Sequence, residues 1–459
     1  MNRIESRAAF SLAGIFSLRM LGLFMIYPVF TFYAQNLTGS TPTTVGLALG
    51  AYGLTQAILQ IPFGFASDRI GRKRMIALGL LIFAAGSVVA ALSTTIYGVI
   101  FGRILQGAGA VGSTILALNA DLTHEESRTK AMATIGLTIG LAFALALVAG
   151  PLLNAWVGVP GIFWFTALLA IAGIAVLYLV TPTPRNVRSH RDTQAVPALF
   201  GRVLADGELL RLDFAIFALH AILTASFIAL PNMLRGVLGI HQDWQWIIYL
   251  PTLAVSVALM IPAVILAEAK RRMKPVFVAS VAVLCLTPAV FAVYRDSLVE
   301  ILVLLTLFFA AFNIMEASLP SLISKVAPAD AKGTAMGIYS SSQFLGIFIG
   351  GTVGGWAYGF LGEPGVFGFC ALVGAVWLIV AISMPQPRFA RTHMVNVGVI
   401  GDDEARRLAA EIETVDGVFE AVVVPDDEVA YIKFDGKVVA PDALNRFARP
   451  SHDAAAQSA

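Results

Sequence analysis

Charge is what this sequence has least of. Only 13% of its 459 residues are Asp, Glu, Lys or Arg, far below the roughly 25% of an ordinary soluble protein, and that deficit excludes a water-solvated globular chain. Its two cysteines, Cys285 and Cys370, sit in apolar runs without metal-ligand spacing. A disulfide framework is thereby excluded, and each thiol reads as a small packing hydrophobe. No Gly-x-x-x-x-Gly-Lys-Ser/Thr run occurs, so no phosphate-cradling loop links the chain to nucleotide hydrolysis. Nor is there a paired nucleophile and base or a metal-ligand cluster, which excludes an enzyme. No catalytic residue, metal or cofactor is expected, and no nucleic-acid partner.

What fills the chain is apolar: 58% hydrophobic, with a mean hydropathy of +0.80. The apolar residues come in runs of about 20, the length that crosses a hydrocarbon core of about 30 Å. Alternating segments of about 10 residues, which a β-barrel needs, are absent. The runs lie near 8–34, 44–67, 74–93, 96–119, 131–156, 162–180, 212–235, 244–268, 273–294, 298–322, 334–359 and 365–384. The first is too long for a cleavable signal. The pattern predicts an all-α membrane protein with twelve spans and the lipid bilayer as its solvent.

Loop charge sets the expected orientation. With the N-terminus inside, the inner segments carry 19 lysines and arginines ahead of the tail, and the outer loops only Arg235 and Arg295. Positive charge stays on the cytoplasmic side, so both termini are expected there. The connection 181–208, with Pro182, Pro184 and Pro197 among arginines, divides the spans six and six: a bundle at 1–180, a cytoplasmic linker, and a bundle at 209–387. An internal echo supports the division: Ile61-Pro62 recurs as Ile261-Pro262, and Arg74-Met75 as Arg272-Met273.

From Met394 onward the period changes and the charge turns to −7, against +9 for the rest. Strand alternation at 394–400, a helical face of Ala405, Leu408, Ala409 and Ile412, strands at 418–424 and 429–434 and a short helix near 442–447 give the order β-α-β-β-α. That order predicts a small α+β, ferredoxin-like cytoplasmic domain at 394–449, with 450–459 disordered.

One stretch organises the membrane part: Gly64-Phe65-Ala66-Ser67-Asp68-Arg69-Ile70-Gly71-Arg72-Lys73-Arg74. Glycines let helix ends approach closely, and an acid near lipid needs a partner. Asp121, at the same end of span 4, offers a second carboxylate; an arginine between the two, Arg69 or Arg72, would latch spans 2 to 4. The bland alternative is that these charges only fix topology. The stretch resembles the loop 2–3 signature of the major facilitator superfamily, Gly-x-x-x-Asp-Arg-x-Gly-Arg-Lys/Arg. The resemblance implies a 12-helix fold of two six-helix bundles, a midplane substrate site and alternating access. It further implies that the latch, comprising Gly64, Asp68, Arg69, Gly71, Arg72, Lys73 and Asp121, holds the halves together in the outward-open state, with the start of span 11 near Lys332 as a further electrostatic donor.

Further motifs follow. Arg103-Ile104-Leu105-Gln106-Gly107 resembles the superfamily's span 4 motif, which implies proton coupling through Arg103 and Gln106; a structural arginine bonded to backbone carbonyls is the competing reading. Gly136, Gly140 and Gly150-Pro151 on span 5 make a thin, bendable surface expected to meet the other half. They partly resemble the antiporter motif of proton-coupled exporters, although Leu152-Leu153-Asn154 follows in place of small residues. The tail resembles that of YajR-type bacterial inner-membrane transporters, implying an inner-membrane location and a regulatory ligand or partner for the C-terminal domain.

Arg19, Arg103, His220 and Glu316 fall one each on spans 1, 4, 7 and 10, the cavity-lining helices of the resembled family. Glu316 is the acid placed well inside a span, and a carboxylate shielded from water holds its proton more firmly. That makes it the expected proton carrier; an ion pair with Arg19 or Arg103 is the alternative, as is a satisfied core histidine for His220. Asn313, Gln56, Gln60 and Gln343 are candidate lining residues. The reading is a proton-coupled exporter of a small molecule, with a ligand-binding sensor or scaffold that signals through the tail as the rival.

Overall fold

The computed structural model describes residues 1–123, 125–183, 196–294, 296–328, 330–386 and 391–448. Most of the expected linker, Arg295 and the expected disordered end at 450–459 lie outside the described residues. The described residues within Met1–Arg188, Arg211–Leu319 and Gly337–Met384 form one compact unit, and those within Ser189–Leu210, Pro320–Met336 and Pro385–Ala459 a second.

Helices account for the membrane part. In chain order they are α1 (Arg3–Phe24), α2 (Phe30–Ala34), α3 (Pro42–Ile70), α4 (Arg72–Leu92), α5 (Ile96–Ala108), α6 (Gly112–Asp121), α7 (Glu125–Leu179), α8 (Phe200–Leu204), α9 (Gly207–Leu238), α10 (Trp246–Glu268), α11 (Met273–Val293), α12 (Leu298–Val326) and α13 (Lys332–Ser383). Local sequence starts and stops them. Asn2 and Thr41 cap α1 and α3 through reciprocal bonds with Glu5 and Thr44, satisfying amides that have no intrahelical partner.

Among the described residues, ten helical stretches are long and apolar enough to cross a membrane. Two of them are interrupted: α7 at Gly158 (φ 66°) and α13 at Gly362 (φ 63°), backbone angles that only glycine takes without strain. Pro160 and Pro364 follow at the same spacing in each half. With both interruptions counted, the architecture is twelve spans in two six-helix bundles. Two spans differ from the sequence expectation. The first breaks after Phe24 at a turn carrying Pro28, whose ring removes a helix bond, and the fourth breaks between α5 and α6 at Gly109.

Small residues decide where the bundles touch. Any side chain on Gly46 would strike the Gly351 carbonyl, one on Gly50 the Phe348 backbone, and one on Gly355 the Pro42 carbonyl. The seam of α3 and α13 is therefore backbone against backbone, from the start of α3 inward to Ala57, whose carbonyl accepts from Ser341 Oγ (3.0 Å). On the other flank, Asn154 Nδ2 donates to Asp243 Oδ1 (2.6 Å). The glycine contacts at Gly46 and Gly355 and the Asn154–Asp243 bond lie toward the end of the bundles away from the α3–α4 turn, and the Ser341–Ala57 bond lies midway along α3. Toward the turn, α7 behaves differently: a methyl on Gly136 or Gly140 would meet nothing within 4 Å. The expectation that these two glycines join the halves is thus corrected. Of the four residues of that motif, Gly150 is the tightly packed glycine, against the Met25 carbonyl of its own bundle, with Pro151 next to it inside α7.

The second unit holds the tail. Strands β1 (Arg391–Asn396), β2 (Val418–Val424) and β3 (Val429–Phe434) form an antiparallel sheet in the order β1-β3-β2. Helix α14 (Asp402–Glu413) buries Ala405, Leu408 and Ile412 against Ala421, Ala430, Ile432 and Phe434, and α15 (Pro441–Leu444) closes the core with Leu444. This is a small α+β fold of ferredoxin-like order with three strands among the described residues.

Replacing Gly46 by leucine drives a side chain into the α13 backbone and is expected to cost about 1–3 kcal/mol of stability. Gly136→Ala meets open space and is expected to be neutral or stabilising, by up to about 1 kcal/mol, from helix propensity. Thermal unfolding of the two purified variants in detergent checks the contrast.

Candidate functional site

The α3–α4 turn is built around Arg72. Gly71 takes φ 100°, which reverses the chain and brings Arg72 back over the end of α3. Its guanidinium reaches Asp68 Oδ1 (2.5 Å) and Ser67 Oγ (2.5 Å) on that helix, and Nε donates to Asp121 Oδ2 (3.1 Å) at the end of α6. Arg72 and Asp121 are almost wholly buried, their side chains 3% and 2% exposed, whereas Asp68 is 34% exposed. Arg72 is therefore the centre of the cluster, with the buried carboxylate on span 4. Arg69 is exposed. Lys73 Nζ donates to the Thr181 carbonyl (2.6 Å) just past α7, where the exposed carbonyls favour a cation. A methyl on Gly64 would meet Ser113 Oγ at 3.5 Å, an ordinary contact, so the approach of α3 to α6 does not require glycine at this position.

Arg103 and Arg19 belong to one buried core of the N-terminal bundle. Arg103 donates to the carbonyls of Ala48 (3.2 Å) and Leu49 (3.3 Å) on α3 and to Gln106 Oε1 (2.7 Å), one turn along its own helix. Gln106 passes the chain on to Ser87 Oγ (2.7 Å). Arg19 bonds Gln56 Oε1 (2.6 Å), which leads on to Gln60. Its guanidinium lies over the rings of Tyr52 (5.6 Å) and Phe83 (5.4 Å), and Arg103 lies over Tyr52 as well (5.3 Å). Such cation–π contacts soften the cost of burying the charge.

The C-terminal bundle holds the acidic cluster. His220 Nε2 lies 3.7 Å from Glu316 Oε2 and 2.8 Å from Gln343 Nε2, while Nδ1 faces the Ile216 carbonyl at 3.2 Å. A carbonyl only accepts, so Nδ1 carries the hydrogen, and Nε2 accepts from the Gln343 amide. His220 is thus neutral, with its lone pair beside Glu316. The Glu316 side chain is 28% exposed overall, but Oε2 is buried against the imidazole. Asn313 donates to Ser256 Oγ (3.0 Å) and ties α12 to α10. The four residues read as one set from their spans therefore divide: two arginines in one bundle, histidine and glutamate in the other. Among the described residues neither arginine pairs with Glu316. Sequence reasoning missed Tyr52, between the arginines, and Asp213, which is 6% exposed on α9. Asp213 stands two residues inside the expected span, where an acid reads as a surface charge.

A second charge cluster lies within the tail unit. Arg202 of the linker reaches Asp330 (3.0 Å) and Glu420 on β2 (3.9 Å); Lys433 on β3 reaches Glu420 (3.4 Å) and donates to the Val326 carbonyl that ends α12 (3.2 Å). Burial pulls the Lys433 ammonium below the ordinary lysine range, and Glu420 opposes this.

Asp121→Asn leaves Arg72 buried with one half-exposed partner and is expected to lose about 3–5 kcal/mol of stability. Asp68→Asn loses less, because water already screens that carboxylate. Chemical denaturation of both variants orders them. For the tail, a lysine whose folded value is lowered carries a penalty that is fully present below that value and fades as pH rises toward 10.5. Lys433→Met is therefore expected to flatten the alkaline rise in tail stability without weakening the sheet at neutral pH. Glu420→Ala is expected to loosen the sheet at neutral pH. Hydrogen exchange across 418–434 as a function of pH measures both.

The chain's relatives agree with this geometry. The family model described as Major Facilitator Superfamily matches residues 12–269 and again 212–393. The inner membrane transport protein YajR of Escherichia coli (strain K12) is 45% identical over 444 residues, covering 96% of each chain. The multidrug resistance protein MdtH of Aeromonas hydrophila is 28% identical over 78% of this chain and 87% of its own. Among solved structures, a bacterial homolog of the human lysosomal transporter Spinster, in an inward-facing and occupied conformation, superposes with a TM-score of 0.67 at 14% identity, over 83% of this chain and 96% of its own; that likeness is one of fold. The chain belongs to the major facilitator superfamily and is a transporter, not an enzyme.

Proposed function

We propose that this transporter is a proton-coupled antiporter that expels a small molecule by alternating access, in the bacterial inner membrane with both termini in the cytoplasm. The observation that carries the reading is the setting of Glu316. Its carboxylate is held against a neutral histidine, and among the described residues no arginine pairs with it; such a carboxylate inside a membrane is costly unless it takes up a proton. Gln343 makes the arrangement responsive, since its amide must turn over when His220 Nε2 gains a hydrogen. The seam of α3 and α13, closed on the side away from the Arg72 cluster, supports an inward-facing state. In that account the Arg72 latch serves the opposite, outward-open state. The relatives' names, an inner membrane transport protein and a multidrug resistance protein, support the inner-membrane location and are in keeping with a drug-like cargo.

The tail cluster gives the rival reading its footing. Lys433 and Arg202 tie the sheet to the end of α12 and to the linker, a route by which a ligand-binding sensor would signal, or by which a regulatory ligand of the tail would act on transport.

Compounds selected by growth of a deletion strain are then tested in proteoliposomes with an imposed pH gradient. The wild type is expected to move protons only when the compound is present, and Glu316→Gln to lose about 100-fold or more of that coupled flux while still binding. Binding without proton movement in the wild type favours the sensor.

A further inference from the structure

Beyond the glycine seam, directed contacts tie the two bundles together at the end away from the α3–α4 turn. Asn154, four residues before the Gly158 break in α7, donates from Nδ2 to Asp243 Oδ1 (2.6 Å) in the turn that precedes α10. The Arg235 guanidinium, near the end of α9, lies 5.3 Å over the Phe32 ring of α2. Asn154 and Phe32 belong to the N-terminal bundle, Asp243 and Arg235 to the C-terminal one. Each contact therefore crosses between the bundles and has to part if their outer ends separate. Asn154 ends the run Leu152-Leu153-Asn154 that stands where the resembled antiporter motif has small residues; a small residue here has no amide to send across.

These contacts are built to be broken. The Asp243 side chain is 24% exposed, Asn154 is partly exposed and Arg235 exposed, so water replaces each lost partner. His241 Nδ1 lies 3.2 Å from Asp243 Oδ2 on the same turn, and the carboxylate keeps that neighbour whichever way the bundles move. Separation costs one hydrogen bond to a charged group and one cation–π contact, and it orphans no buried charge. Arg72 differs: it is almost wholly buried and its carboxylates belong to its own bundle, so it stays paired when the bundles move. The glycine seam differs too, since it sets how near the helices come and contains no charge that must be answered.

We infer that Asn154 and Asp243 form the outer lock of the transporter: their bond, supported by Arg235 on Phe32, sets the balance between the inward-facing and outward-open arrangements and breaks in every cycle. They act by positioning the bundles. The lock rests on alternating access and not on Glu316 as proton carrier.

Val45, 5% exposed at the start of α3, lines a cavity of about 140 Å³ together with Ile228 and Tyr358 of the other bundle. Val45→Cys, in a Cys285→Ala, Cys370→Ala background, is labelled on intact cells with a membrane-impermeant maleimide, which reads opening of the outer seam. Asp243→Ala and Asn154→Ala are each expected to raise the labelling rate about fivefold or more, the effect of one hydrogen bond to a charged group at a partly exposed site, and the double variant to raise it no further. Asn154→Asp combined with Asp243→Asn puts the same two groups back in exchanged places and is expected to return the rate to that of the parent. Unchanged rates in both alanine variants overturn the lock, as do effects that add in the double variant, or an exchanged pair that labels as fast as the alanine variants. Such a failure leaves the Glu316 reading intact, because labelling needs neither cargo nor a pH gradient. Labelling absent from the parent and every variant, while the parent still moves protons with cargo, overturns alternating access at this seam and the lock with it.

Discussion

A charge buried away from water must be answered from within the protein, and this structure is arranged around three different answers. Arg72 is answered by carboxylates: Asp121 and Asp68 bracket it, so burial is tolerable, and removing either partner exposes the penalty. Arg103 is answered by carbonyls and by Gln106, and Arg19 by one amide oxygen and two aromatic faces. Among the described residues, Glu316 and Asp213 have no arginine or lysine ion pair. The first two solutions fix a charge in place permanently. The third leaves a carboxylate with no ion pair to fix its charge, and on that setting the proposed proton coupling rests.

The two bundles share an architecture and divide its chemistry. Their hairpins turn at Gly158 and Gly362 with proline two residues on, and glycine thins both helices of the seam between them. Yet the N-terminal bundle has cations at its core and no acid in its spans between the ends, while the C-terminal bundle has acids and a neutral imidazole. Repetition supplied two frames of the same geometry. Arg19 and Arg103 are held in one by amides, carbonyls and aromatic faces, whereas the other sets Glu316 beside His220.

The tail has one sheet face filled by α14 and a second lined by Met394, Val422, Val424, Val429 and Tyr431. Lys433 lies on this second face, as does Glu420, and both are engaged with the end of α12 and the linker. A lysine at such a position trades hydration for a carbonyl and a carboxylate, so the contact is specific but costly, a balance suited to a joint that opens.

Sequence alone determined the architecture. Runs of about 20 apolar residues have one stable solution in a bilayer, because every backbone group must be satisfied within its own segment. The change to period two after Met394 marked the tail for an equally local reason. The turn motif was legible too, since Gly71 must take a positive φ and the cations must leave the hydrocarbon. Which arginine sits between the acids, whether Arg19 meets Glu316 and whether Gly136 touches the other half were decided only by the tertiary structure. Span position gives depth in the membrane and little about rotation around the helix axis, and it is rotation that turned Arg19 toward Tyr52 and Phe83 and left Glu316 beside His220. Asp213 was hidden for the same reason: an acid two residues inside a span reads as surface until the packing of α9 shows that it is enclosed.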